Sequence, residues 1–281
     1  MDYIDSIQKT IDYIEANLKE ELDINRAISE SGYSLTHFYR IIQSFSGISL
    51  KDYIRNRRLS EAAVALRMSD NRIIDIAMEY DFQSQEVFTR AFFRLFGITP
   101  GQYRKSREAI TLYEKLNARQ LFMSLNGLSI EPTIILEKIF QLVGITRTVH
   151  PGSADISQLW GEFHHSSDSI ITPLNSDKLI GLCEYMPDIT DDSEFSYMAC
   201  IEVLSTDNLP MGMNAKIIPC TKYAVFTHSG TVDGLKETYD KIYGVWLPLT
   251  GSQLAEADTL EIYTLQSSNN YKLDIYIPLK Y

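Results

Sequence analysis

Cysteine is scarce in this 281-residue chain, and what there is does not suit pairing. Cys183, Cys200 and Cys220 are odd in number, widely spaced, and never in a Cys-x-x-Cys arrangement. That argues against a disulfide framework and fits a reducing compartment. The five histidines show no zinc spacing, so no metal is expected. No apolar run approaches the roughly 20 residues of a membrane span. The opening MDYIDSIQKTIDYIEANLKE is amphipathic and acidic, without the basic start and apolar centre of a signal peptide. The chain also lacks a phosphate-cradling glycine loop, a Gly-x-Ser-x-Gly elbow and a metal triad. The expectation is a cytoplasmic, globular protein without cofactor or membrane partner.

Positive charge is short overall, with a net of −11, which at first argues against a nucleic-acid partner. The deficit is uneven. Residues 1–108 are close to balance at −1, residues 109–281 carry −10, and residues 40–107 hold 12 basic and 7 acidic side chains, a local net of +5. A locally basic face is what phosphate contact requires.

Shifting the sequence by fifty residues sets Ile24 on Ile74, Ala27 on Ala77, Ser34 on Ser84, Phe38 on Phe88, Arg40 on Arg90, Gly47 on Gly97 and Tyr53 on Tyr103. So many matches at one offset indicate a repeated supersecondary unit. Each copy reads as a short apolar helix (Ile24 to Ser31; Ile73 to Tyr80), a tight turn, a capping serine (Ser34; Ser84) and a second helix. The second helices bury Phe38, Ile41, Ile42, Phe45 and Phe88, Ala91, Phe92, Leu95, each spaced as one helical face, and Gly47 and Gly97 close them. This is a helix-turn-helix, present twice. Opposite the buried stripes the first copy shows Thr36, Tyr39, Arg40 and Gln43, and the second Gln85, Glu86, Thr89, Arg90 and Arg94. These side-chain types can read base edges, Arg on guanine and Gln on adenine among them. Between the copies, LKDYIRNRRLSEAAVALRM (Leu50 to Met68) has neither Gly nor Pro and follows Ser49, a helix cap. Such a helix is about 28 Å long, close to the roughly 34 Å between successive major grooves. Arg55, Arg57 and Arg58 on it are candidate phosphate contacts.

GYSLTHFYRIIQSFSGISLKDYIRNRRLSEAAVALR and IIDIAMEYDFQSQEVFTRAFFRLFGITPGQYR resemble the AraC/XylS DNA-binding domain over about residues 5–107. The resemblance implies an all-α, seven-helix reader of double-stranded DNA, with base-reading positions at Thr36, Tyr39, Arg40, Gln85, Glu86, Val87 and Arg90. It further implies activation through RNA polymerase.

Residues 109–134 read as a linker, ending in the turn signals Asn126-Gly127 and Pro132. From 135 the period changes to that of strands: Ile139 to Thr148, Leu179 to Tyr185, Tyr197 to Leu204, Lys216 to His228, Leu260 to Leu265 and Leu273 to Pro278. Helical stretches at Ile156 to Ser166 and Val232 to Leu247 make this an α+β domain with one helix in each half, a duplication in outline. Aromatics are dense, among them Trp160, Tyr197, Tyr223, Tyr239, Tyr243 and Trp246, and carboxylates Glu184, Glu202 and Glu261 lie between them. Alternation puts Glu261 and Tyr263 on one face. A carboxylate among rings suits an organic cation, which would remove the cost of burying the charge. Core aromatics beside a surface glutamate are the competing reading.

LIGLCEYMPD, YMACIEV, IIPCTKYAVFTHSG and LEIYTLQSSNNYKLDIYIPLK resemble the GyrI-like effector-binding domain over roughly 135–281. The resemblance implies a duplicated βαββ-type domain whose cleft takes drug-like, often cationic small molecules, with Glu261 at its centre and Trp160, Tyr197, Tyr223, Trp246 and Tyr263 as walls. The expectation is therefore a non-enzymatic, effector-controlled transcription regulator. A hydrolase using Glu261 as general base, and an architectural DNA binder with a protein-docking half, are the alternatives.

Overall fold

The computed structural model describes residues 3–29, 35–106, 108–124, 130–150, 154–170, 172–186, 193–267 and 270–281. It contains two compact units, one mainly of residues up to 125 and one mainly of residues from 126 onward.

The first unit is helical: α1 (Tyr3–Ala16), α2 (Ile24–Ser29), α3 (Leu35–Ser46), α4 (Leu50–Met68), α5 (Ile73–Glu79), α6 (Gln85–Phe96), α7 (Pro100–Lys105) and α8 (Ala118–Ser124). The capping signals in the sequence act as written. Ser49 Oγ accepts from Asp52 N at 2.9 Å to start α4, and Ser84 Oγ accepts from Val87 N at 3.2 Å to start α6. Ser34 lies outside the described residues. Gly47 (φ +71°) and Gly97 (φ +73°) both adopt the left-handed conformation that closes a helix. The second copy is built on rings: Phe82, Phe88 and Phe92 are buried together, with Phe92 4.7 Å from Phe96 and 5.8 Å from Tyr103. The first copy buries Ile28, Phe38, Ile41, Ile42 and Phe45.

Two expectations change here. The stretch from 109, expected as a linker, is held along α4 and α1 as far as 124. Tyr113 N donates to Ser60 Oγ (2.9 Å), Tyr113 O accepts from Arg57, Leu116 N donates to Tyr53 OH (3.2 Å), and Ala118 N donates to Gln8 Oε1 (2.8 Å). Residues 53, 57 and 60 recur at helical spacing, so α4 offers one row of side-chain partners to an extended backbone. Second, Arg57 and Arg58 serve the fold. Arg57 is buried against Glu15 and Glu61, both at 2.8 Å. Arg58 pairs with Asp81 at 2.6 Å and donates to the carbonyls of Leu18 and Glu20. Both point into seams between helices, where carboxylates and helix-end carbonyls await donors.

The second unit runs β1 (Thr133–Val149), α9 (Asp155–Ser166), β2 (Lys178–Cys183), β3 (Phe195–Glu202), β4 (Asn214–His228), α10 (Leu235–Lys241), a π-helical turn (Ile242–Trp246), α11 (Leu247–Thr250), β5 (Thr259–Ser267) and β6 (Asn270–Leu279). That is a βαββ unit twice over. The strands close an antiparallel barrel in the order β1-β3-β2-β5-β6-β4. Alternation divides each strand between two environments. Leu142, Ile180, Leu182, Met198, Cys200, Ile218, Leu260 and Ile262 share one cluster inside the barrel. Residues of opposite parity, such as Val143, Tyr197, Ala199 and Ile201, pack outward with Leu159 and Phe163 of α9.

Candidate functional site

Three carboxylates stood out in the second half, and the structure treats them differently. Glu184 pairs with Lys216 at 2.5 Å. Glu202 pairs with Lys138 at 2.5 Å. Burial pushes the Glu184 carboxyl up, but hydrogen bonds from Lys216 and Ser196 outweigh it and hold it below its ordinary value. Glu261 is 7% exposed and is held by phenols: Tyr239 OH donates to Oε1 at 2.8 Å and Tyr263 OH to Oε2 at 2.8 Å. A phenol disperses negative charge without cancelling it.

Four elements converge on this group. Glu261 and Tyr263 come from β5 by period-two alternation. Gly181 of β2 is the cross-strand partner of Glu261. Tyr197 of β3 lays its hydroxyl over Gly181, where a Cβ would fall 2.0 Å from that oxygen. Only glycine leaves that space. Trp160 of α9 meets the Tyr263 ring edge-on at 5.6 Å, the ring whose hydroxyl donates to Glu261. Burial, and then the Glu261 charge, push the phenols of Tyr197, Tyr239 and Tyr263 well above the ordinary tyrosine range. All three stay neutral donors at physiological pH.

Of the expected walls, Trp160, Tyr197 and Tyr263 gather at Glu261. Trp246 packs edge-on against Phe226 at 5.0 Å. Phe226 pairs with Ile275, which pairs with Glu261, so Trp246 lies on the same side of the sheet two strands away. Tyr223 is corrected. It pairs with Pro278, its alternation partner Val225 pairs with Tyr276, and Tyr276 pairs with Leu260. That register places Tyr223 on the opposite face from Glu261, inside the barrel with Phe140 and Tyr276 at 6.2 and 5.7 Å. Tyr239, named among the aromatics of this half but not among the walls, proves to be a direct partner of Glu261; its spacing of four residues from Tyr243, with which it stacks at 6.2 Å and 9°, was the available signal.

The candidate DNA face is most open on α6. Gln85, Glu86, Val87, Arg90 and Arg94 are exposed and Thr89 is half-buried. Arg90 and Glu86 lie 3.6 Å apart on the surface. On α3, Gln43 is exposed, Arg40 half-buried, and the side chain of Thr36 lies outside the described residues. Tyr39 departs from expectation: it is 8% exposed. It stands about 100° round the helix from Phe38, on the flank of the buried stripe and not opposite it. Thr89, its counterpart in the second copy, is half-buried for the same reason, and the longer tyrosine is covered more fully.

Comparison with known proteins supplies the remaining facts. Residues 130–280 match the family described as GyrI-like small molecule binding domain. Residues 28–106 match a helix-turn-helix domain. The chain is 29% identical over 275 residues to the right origin-binding protein of Escherichia coli K12, covering 94% of this chain and 91% of that one. It is 28% identical over 275 residues, with the same coverage, to the transcriptional regulator Rob of Salmonella typhimurium LT2. Over 111 residues it is 45% identical to an uncharacterized HTH-type transcriptional regulator, YbfP, of Bacillus subtilis, covering 40% of this chain and 38% of that one.

Proposed function

Because the chain belongs to the family of the GyrI-like small molecule binding domain, with an AraC-type DNA-binding domain ahead of it, we propose that it is a one-component regulator whose second unit takes a hydrophobic organic cation at Glu261. The arrangement that carries this reading is a carboxylate 7% exposed and held by two phenols beside an indole. A cation placed there gains attraction from the carboxylate and about 0.5–2 kcal/mol from each ring face it meets. Of the three carboxylates, Glu184 and Glu202 pair with lysines, whereas Glu261 is the one set among the rings of Tyr239, Tyr263 and Tyr197.

In the first unit, α3 and α6 read adjacent major grooves of one duplex, joined by the 19-residue α4, about 28 Å long. Arg40, Gln43, Gln85, Glu86 and Arg90 make the base contacts, with Thr36, Tyr39, Val87, Thr89 and Arg94 completing the two faces. Activation proceeds by recruiting RNA polymerase. The ligand controls this by binding one conformational state better than another.

The test is thermal unfolding of the full chain with a panel of cationic aromatic dyes and neutral analogues of the same shape. Stabilisation by cations alone, abolished by Glu261→Gln, supports the reading. Equal stabilisation by neutral analogues, or a response that survives Glu261→Gln, overturns it.

A further inference from the structure

One side chain on α6 has no place in the helix-turn-helix core. Phe88 and Phe92 are fully buried and Phe96 is half-buried, whereas Phe93 is 54% exposed. The core stripe is complete without it. At about 100° per residue, Glu86, Arg90 and Phe93 fall within about 60° of one another, opposite Phe88 and Phe92. Phe93 thus stands near the centre of the face that the proposed function turns toward DNA. The duplicate shows that the fold does not demand an aromatic there: the residue fifty positions earlier is Gln43, polar and exposed.

We propose that Phe93 is a specificity-determining residue that packs on a thymine methyl group in the major groove read by α6. The inference rests on the DNA-reading proposal above and adds a base preference to it. Phosphates are contacted by cationic or hydrogen-bonding groups, and a benzyl side chain offers neither. On the base edges of the major groove the apolar group is the C5-methyl of thymine, for which a phenylalanine ring is a suitable contact. Phe93 lies three residues beyond Arg90, about 4.5 Å further along the helix axis. The ring therefore reaches about one base-pair step past the base that Arg90 addresses. Val87, 37% exposed on the other flank of Arg90, does not share this position. The second half-site then carries a thymine beside the base pair read by Arg90, a feature the first half-site, with Gln43, lacks.

The test uses the full chain. DNA bound from a random pool defines a preferred duplex, and each thymine in it is then replaced singly by deoxyuridine, which removes only the methyl. One replacement in the half-site read by α6 should weaken binding by about four-fold, the worth of one buried methyl-sized group. In Phe93→Ala the same replacement should change nothing, and thermal unfolding of that variant should match the parent because the ring is outside the core. Uracil sensitivity that persists in Phe93→Ala overturns the assignment, as does a Phe93→Ala variant that binds every duplex like the parent. Failure to enrich any sequence from the pool overturns the DNA-reading proposal and this inference with it. Enrichment without methyl sensitivity overturns this inference alone.

Discussion

Glu15 in the first unit and Glu261 in the second are both carboxylates taken out of water, and they are held in opposite ways. The Glu15 side chain is 10% exposed and accepts from Arg57 Nε and Nη2 and from Tyr53 OH, between 2.5 and 3.1 Å. There a guanidinium cancels the charge, and the same guanidinium ties the segment after residue 108 to α4 through Tyr113 O. Glu261 accepts from the phenols of Tyr239 and Tyr263. A buried carboxylate matched by a fixed cation serves the fold. One held by phenols is, in the function proposed above, the group that a cationic ligand meets. Burial alone distinguishes neither case; the chemistry of the donor does.

The contrast is open to attack, starting where the effect is largest. Glu15→Ala leaves Arg57 with Glu61 as its one remaining carboxylate among the described residues and takes the acceptor from Tyr53 OH, and should cost about 3 kcal/mol, the low end for a broken buried pair, in denaturant unfolding of the first unit. A loss below 1 kcal/mol, on the order of a surface pair, would erase the distinction. Next, the ligand response of Glu261→Gln separates the two carboxylates: at a hundred-fold excess over Kd a bound cation stabilises the parent by about 2.7 kcal/mol, and the variant should show none of it. Tyr263→Phe removes one donor to a charged acceptor and should cost roughly 1.5–3 kcal/mol in the second unit. It should also weaken ligand binding less than Glu261→Gln does.

The smallest effect is in pH. Tyr197, Tyr239 and Tyr263 have folded-state pKa values raised above those of the unfolded chain by burial and by Glu261. The unfolded phenols lose protons near pH 10 while the folded ones keep theirs. Stability is therefore intact below about pH 10 and declines as pH rises beyond it. In Tyr263→Phe that alkaline slope should be shallower, as measured by urea midpoints from pH 9 to 11.

Much of this was legible because it is local or periodic. Ser49, Ser84, Gly47 and Gly97 cap helices through contacts within a few residues, so their roles can be read without the fold. The offset of fifty exposed the helix-turn-helix pair, and period two joined Glu261 to Tyr263. What failed was long-range. Arg57 and Arg58 look like free cations until α1 and the turn near Asp81 arrive against them. The stretch from 109 looks like a linker because its partners, Tyr53, Arg57 and Ser60, lie more than fifty residues earlier. Tyr223, taken as a wall from the resemblance, could not be checked by alternation, which fixes the two faces of a strand but not which face meets which neighbour. Register across β4, β6 and β5 decides that. Tyr239 reaches Glu261 from a helix whose docking no periodicity announces.

Gly181 carries a final implication. A methyl group there would sit 2.0 Å from the Tyr197 hydroxyl and 2.9 Å from the ring carbon bearing it. The two positions are consequently coupled: a side chain at 181 would displace the Tyr197 ring, and shortening residue 197 is the change that would make room for one opposite the glutamate.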